Sequence, residues 1–267
     1  MKPMSQTSKY DPLKTYFPFG PPIGYAKLPK EMIDDLNKGC DDIVKDEELS
    51  KSHDWSPYLV GQVEQEIVIP SDILNTWGRW FAEQIQHYIA GYFDQLYVPE
   101  QNLMFTDKDV ALKRLNTLKI DVASAWYVRS FAGNYNPVHT HTDCQLTCVG
   151  YLKVPDLDKV RKRRAAGIKG LKAYTPDGNL EVLSSIGDNP SVFENDRISF
   201  MPKVGNWYLF PAHIRHAAYP FTCEGERRSF SINMNTDMVR AERTGHAARH
   251  PSEDSPVPTT KPAKSAK

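Results

Sequence analysis

The residues best suited to chemistry lie together in Tyr135-Asn136-Pro137-Val138-His139-Thr140-His141-Thr142-Asp143. Alternate residues of an extended strand point the same way, so His139, His141 and Asp143 would share one face if this stretch is a strand. Two neutral imidazoles and a carboxylate form the facial donor set that holds non-haem Fe(II) and leaves coordination positions open. One strand cannot surround an ion, so a further ligand must come from elsewhere. About 75 residues downstream, the apolar run Trp207-Tyr208-Leu209-Phe210-Pro211 leads through His213 to His216 and reads as a strand that delivers His216. On such a strand His213 falls on the opposite face and stays outside the site.

A second signature follows eleven residues after His216. As a strand, Glu226-Arg227-Arg228-Ser229-Phe230-Ser231-Ile232-Asn233 puts Arg227, Ser229, Ser231 and Asn233 on one face. Arg228, Phe230 and Ile232 take the other. The planar guanidinium grips a carboxylate with two parallel hydrogen bonds. Arg227, with Ser229 beside it, is therefore expected to anchor the far carboxylate of a co-substrate whose near end chelates the metal. Arg228 is the disfavoured rival because its face is apolar.

In these residues, together with Gly133-Asn134, Thr147-Cys148-Val149-Gly150-Tyr151-Leu152 and Leu209-Phe210-Pro211, the chain resembles the Fe(II)- and 2-oxoglutarate-dependent dioxygenases. The likeness is greatest to prolyl-hydroxylase-like members and to a group of short phage and bacterial oxygenases, and it spans about residues 120 to 235. It implies Fe(II), 2-oxoglutarate as co-substrate and dioxygen, with decarboxylation to succinate coupled to C–H hydroxylation. By likeness to the prolyl-hydroxylase group, the substrate implied is a peptidyl residue, with a small molecule as the other class. The triad stays open between two patterns. The prolyl-hydroxylase pattern, His-x-Asp, maps to His141 and Asp143 with His216. The short phage pattern, His-x-His, maps to His139 and His141 and makes Asp143 a loop residue. The first is preferred because an anionic ligand helps retain Fe(II), with His139 as the rival or an outer partner.

Two readings from other classes compete. A cupin-like metal-binding protein without 2-oxoglutarate would suit a triad of His139, His141 and His216, and would make Arg227 structural. A non-catalytic jelly-roll module would bind a partner through a basic insertion at 156–172, which carries Lys159-Val160-Arg161-Lys162-Arg163-Arg164, Lys169 and Lys172. That insertion reads first as a solvated helix face or loop. As a lid or docking segment it leaves an anionic partner such as nucleic acid open.

The elements that must position these residues are legible as patterns. Residues 1–28, rich in Pro, Tyr and Phe, read as an extended arm, and a helix follows from Leu28 to about Glu48. Residues 60–70 alternate as an edge strand. Ser71 is a good N-cap for a helix to about Leu96, whose stripe of Ile73, Trp77, Trp80, Phe81, Ile85, Tyr88, Ile89 and Tyr92 should back a sheet. From Leu115 onward short strands alternate with turns. The fold expected is mainly β with flanking helices: a double-stranded β-helix, the cupin-like jelly roll, backed by the N-terminal helices. Its domain should run over 29–240, followed by a polar, disordered tail at 241–267 that contains His246 and His250. Tyr127, Phe131, Thr147 and Tyr151 are candidate pocket walls.

Composition narrows the class further. With 267 residues, 40% hydrophobic and 11% aromatic, the chain can bury a sizeable core. Its 33 basic and 33 acidic residues cancel, so nothing in the net charge favours nucleic acid or an acidic membrane. No apolar run nears the roughly 20 residues of a membrane span, and the first residues lack a signal-peptide core, so a soluble cytoplasmic protein is expected. Cys40, Cys144, Cys148 and Cys223 make no zinc-type pair and read as free thiols.

Overall fold

The computed structural model describes residues 11–16, 22–96, 115, 117–166, 176–183 and 197–237. The expected tail, Lys169 and Lys172 lie outside these residues. In chain order the elements are β1 (Lys14–Tyr16), β2 (Ile23–Lys27), α1 (Lys30–Lys45), α2 (Glu47–Ser52), β3 (Gln65–Val68), α3 (Ser71–Leu96), β4 (Ile120–Ser130) and β5 (Asn136–His139). They continue with β6 (Leu146–Lys153), α4 (Leu157–Ala166), β7 (Leu180–Leu183), β8 (Arg197–Phe200), β9 (Asn206–Pro211), β10 (Arg215–Ala218) and β11 (Arg227–Thr236).

The strands form two antiparallel sheets. The major sheet has the order β1-β2-β9-β6-β11-β4-β3 and the minor sheet β5-β10-β7-β8. From β4 onward the chain passes back and forth between the two, which is the winding of a double-stranded β-helix. The N-terminal arm does more than lie on the body: Ile23–Lys27 pairs with β9 and Lys14–Tyr16 with β2, so the arm widens the major sheet by two strands.

Strand parity sorts the side chains into two cores. Trp207 and Leu209 on β9, with Phe230, Ile232 and Met234 on β11, face the helices and meet Met32, Leu36, Trp80, Phe81 and Ile85. Tyr208 and Phe210, one residue out of phase, pack between the sheets with Tyr151, Leu180, Val182 and Ile214. The aromatic stripe of α3 is thus a packing face, with Trp80 edge-on to Trp207 at 5.1 Å between ring centres. Gly150 lies opposite Phe230 across the β6–β11 ladder, and a Cβ there would meet that ring at 2.2 Å. Only glycine leaves room for the phenyl ring at this position.

Several boundaries differ from the sequence pattern for local reasons. The first helix stops at Lys45, and Asp46 caps a separate helix α2, its Oδ1 accepting from the amides of Glu48 and Leu49. The edge strand is shorter than 60–70 and occupies only Gln65–Val68, at the outer edge of the major sheet. The apolar run from Trp207 to His216 is not one strand. Proline lacks the amide that would extend the ladder, and β9 ends at Pro211. A turn closed by the Ile214 amide on the Pro211 carbonyl follows, and β10 of the other sheet carries His216. His213 sits exposed in that turn, so it is kept from the site by the turn and not by strand phase.

The start of the basic insertion is helix α4, and it is only partly a solvated face. Leu157 and Val160 are buried, and Arg161 turns inward to donate to the Asp177 carbonyl at 2.7 Å and to Asn179. Among the described residues no helix is long and apolar enough to cross a membrane. All four cysteines are free, and burial raises the pKa of each thiol.

Candidate metal centre

Between the sheets lies an open-mouthed cavity of about 510 Å³. Its floor is the inward face of β11, where Arg227, Ser229, Ser231 and Asn233 alternate along the strand as parity requires. Trp126 and Val128 of β4 and Tyr151 of β6 continue that wall, and His139, His141 and His216 close it from the minor-sheet side.

The three histidines converge: one ligand atom from each lies within 4.8 Å of the others. β5 and β10 pair so that His139 stands directly opposite His216. His141 comes from the loop after β5, held by its amide on the Ala212 carbonyl at 2.9 Å. The strand anticipated through Asp143 therefore ends at His139. Asp143 adopts φ 60°, a left-handed conformation that aspartate tolerates, and its carbonyl accepts from the Asn235 side chain at 3.1 Å. Asp143 lines the cavity but is exposed and lies outside the histidine cluster. The donor set brought together is thus three imidazoles, with His139 where Asp143 was preferred.

Two of the imidazoles are oriented by carbonyls behind them. The ring Nδ1 of His139 contacts the Pro137 carbonyl at 2.7 Å, and that of His216 contacts the Ile214 carbonyl at 2.9 Å. A carbonyl can only accept, so each Nδ1 carries the proton and each Nε2 is left with a bare lone pair. His141 Nε2 lies 3.2 Å from His216 Nε2, in rings only 4° from parallel. Nitrogen ligands at right angles on an ion, with bonds of about 2.1 Å, stand about 3 Å apart, so the spacing suits adjacent ligands. The Asn233 side chain adjoins the His141 ring, and its buried Oδ1 has no other partner.

Electrostatics hold the rings neutral. Burial lowers the pKa of all three, to about 4 for His141 and about 3 for His216, and each proton added repels the next. A neutral imidazole is the form that ligates. Trp126 lies beside His141 at 5.8 Å and Phe210 meets His216 edge-on at 4.9 Å, so an apolar ring covers one side of each of these imidazoles.

Arg227 is 3% exposed and lines the same cavity. Its Nη1 donates to the carbonyls of Gly178 at 2.9 Å and Tyr219 at 3.0 Å, and Nη2 to Ser130 Oγ at 3.3 Å. Of the five N–H groups of a guanidinium, two remain. Among the described residues no carboxylate lies within ion-pair distance of it, and burial lowers its pKa. Arg228 is the opposite case. It points to the helix side, bidentate to Glu226 at 2.9 and 3.0 Å and bound to Asp41 at 2.7 Å, so its charge is spent.

Of the proposed pocket walls only Tyr151 lines the cavity. Tyr127 and Thr147 are buried elsewhere, and Phe131 lies outside. The sequence pattern missed Glu66, Asn136 and the wall from Trp55 to Val60, which also line it. The alternation of β3 exposed a polar face, but nothing local distinguishes a face turned to solvent from one turned into a cavity.

Residues 124–233 match the family described as "Putative 2OG-Fe(II) oxygenase". No curated protein matches the chain. Among solved structures, it is similar to a prolyl-4-hydroxylase of Pseudomonas putida at 13% identity and TM-score 0.45, over 80% of this chain and 91% of that one. It is also similar to AviO1 of Streptomyces viridochromogenes Tue57 at 12% identity and TM-score 0.46, over 83% and 92%.

Proposed function

We propose, for a chain whose residues 124–233 match the family described as "Putative 2OG-Fe(II) oxygenase", that it hydroxylates a C–H bond of a peptidyl residue or small molecule. In this reading His139, His141 and His216 hold Fe(II), and Arg227 with Ser229 holds the distal carboxylate of 2-oxoglutarate. When bound, Fe(II) and 2-oxoglutarate supply dioxygen activation coupled to decarboxylation to succinate. The chain's own part is positional. One ring nitrogen from each of the three histidines lies within 4.8 Å of the others, and the carbonyls of Pro137 and Ile214 keep two of the rings from turning and leave their Nε2 lone pairs bare. Trp126 and Phe210 cover one side of His141 and His216 with apolar rings.

The observation that carries this reading is Arg227. A buried guanidinium with no counter-ion is costly unless a ligand completes it. Here it shares a cavity with three metal-competent imidazoles. The cupin-like alternative accounts for an all-histidine cluster equally well, yet leaves this cation without a counter-ion among the described residues.

The test is anaerobic titration of the Fe(II)-loaded protein with 2-oxoglutarate, followed by the visible charge-transfer band of bidentate chelation. A saturable band is expected. Bound iron without the band would transfer the site to the cupin-like class.

A further inference from the structure

We propose that Glu66, with the Trp55–Tyr58 wall beside it, forms a subsite that takes a protonated nitrogen of the prime substrate. This rests on the hydroxylase reading only for the word substrate, since the subsite is built without the metal or co-substrate.

Glu66 is 1% exposed; the Asn136 side-chain amide adjoins its carboxyl, but neither oxygen has a well-formed hydrogen bond among the described residues. Its backbone is well held: the amide donates to Ser56 Oγ at 3.1 Å, and the carbonyl accepts from the Trp55 amide at 2.8 Å. The side chain is thus carried into the cavity by an ordered strand edge. Burial raises its pKa to about 7, the adjoining Asn136 amide offsetting only part of this. A buried polar group is normally satisfied, and a buried carboxyl with no cationic partner among the described residues needs a specific account. A partner that arrives with the substrate supplies one.

The surroundings select the charge of that partner. Asp54 adds negative potential at Glu66, and no basic side chain of the described residues pairs with it. Trp55 and Tyr58 pack with ring centres 4.6 Å apart on the same wall, and Tyr58 is 73% exposed at the mouth. Aromatic faces next to a carboxylate favour a cation. Position fits as well. Glu66 pairs with Val128, and Val128 with Ser229, so Glu66 stands two strand spacings, about 10 Å, to the side of the proposed co-substrate anchor. Asn136 lies three residues before His139 on β5, which is about 10 Å along the strand from the histidine cluster. A flexible chain ending in an ammonium or guanidinium, bound at Glu66, would lay its carbons towards the metal.

Two cationic probes separate the sources of such a nitrogen: N-acetyl-lysine methylamide for a peptide side chain and n-pentylamine for a free amine. N-acetyl-norleucine methylamide is the uncharged control. Each is titrated by calorimetry into the full-length protein, wild type and Glu66→Gln, with and without Fe(II) and 2-oxoglutarate. At least one cationic probe should bind the wild type ten-fold or more tightly than the norleucine control, and lose that preference in Glu66→Gln. Whichever probe binds better identifies the source. Equal binding of charged and uncharged probes to the wild type would overturn the proposal, and needs no variant to fold. So would an unchanged preference in a folded Glu66→Gln. Absence of the charge-transfer band with the cation preference intact would sink the hydroxylase reading and leave the subsite standing.

Discussion

Replacing Arg227 tests the assignment on which the site depends. The guanidinium has two N–H groups left after its bonds to the Gly178 and Tyr219 carbonyls and Ser130. Two hydrogen bonds to a carboxylate, at about 1.5–3 kcal/mol each, make the fork worth about 3–6 kcal/mol to 2-oxoglutarate binding. Arg227→Lys keeps the charge and at best one bond. It should weaken 2-oxoglutarate by about 2 kcal/mol, roughly 30-fold at 1.4 kcal/mol per tenfold. Arg227→Ala removes both bonds and should cost at least about 3 kcal/mol, more than 100-fold. Arg227→Ala also frees two buried carbonyls, at about 1–3 kcal/mol each, so its folding must be confirmed by circular dichroism. The assay is the anaerobic charge-transfer titration, with Fe(II) content determined separately on each sample. Both variants should retain iron. A folded, iron-loaded Arg227→Ala with unchanged 2-oxoglutarate affinity would refute the carboxylate role and leave Arg227 as a staple between β11 and the turns beside β7 and β10.

Two further outcomes follow from the site. Asp143→Asn should leave Fe(II) retention after gel filtration unchanged, whereas His139→Ala should abolish it, because His139 and not Asp143 converges with His141 and His216. The reverse result would restore the His-x-Asp triad. Stability against pH should show two opposing slopes in the metal-free protein. The histidines have folded pKa values below the unfolded 6.5, so the unfolded state binds more protons below that pH and stability falls as pH drops beneath 6.5. Glu66, raised to about 7 from 4.5, binds its proton in the folded state, so its contribution is lost as pH rises from 4.5 through 7. Glu66→Gln should therefore gain on the wild type by up to about 3 kcal/mol at pH 8 relative to pH 4 in urea denaturation. A constant difference across that range would show that the carboxyl is not desolvated as described.

Much of this molecule is readable without coordinates, because strand parity is a local property. The alternation from Arg227 to Asn233 separated the cavity face from the core face, and it ranked Arg227 above Arg228 before either partner was visible. The α3 stripe follows from helical periodicity, and the strands β4 to β9 and β11 from alternation between turns. In the sequence β10 reads as the end of β9, and the jelly-roll class rests also on the family resemblance. What the sequence could not contain was where each strand stops. Whether Asp143 continues the β5 face depends on a left-handed turn, held by an asparagine side chain 92 residues away. Whether His216 shares a strand with Trp207 depends on a crossing between sheets at Pro211. Glu66 shows the same limit most plainly. In β3 it is one polar residue of an alternating edge strand. Only the packing of the Trp55 segment and β5 over that edge turns a face that periodicity assigns to water into the wall of a cavity. Local pattern determines which residues share a face; what lies opposite that face is set by long-range contacts.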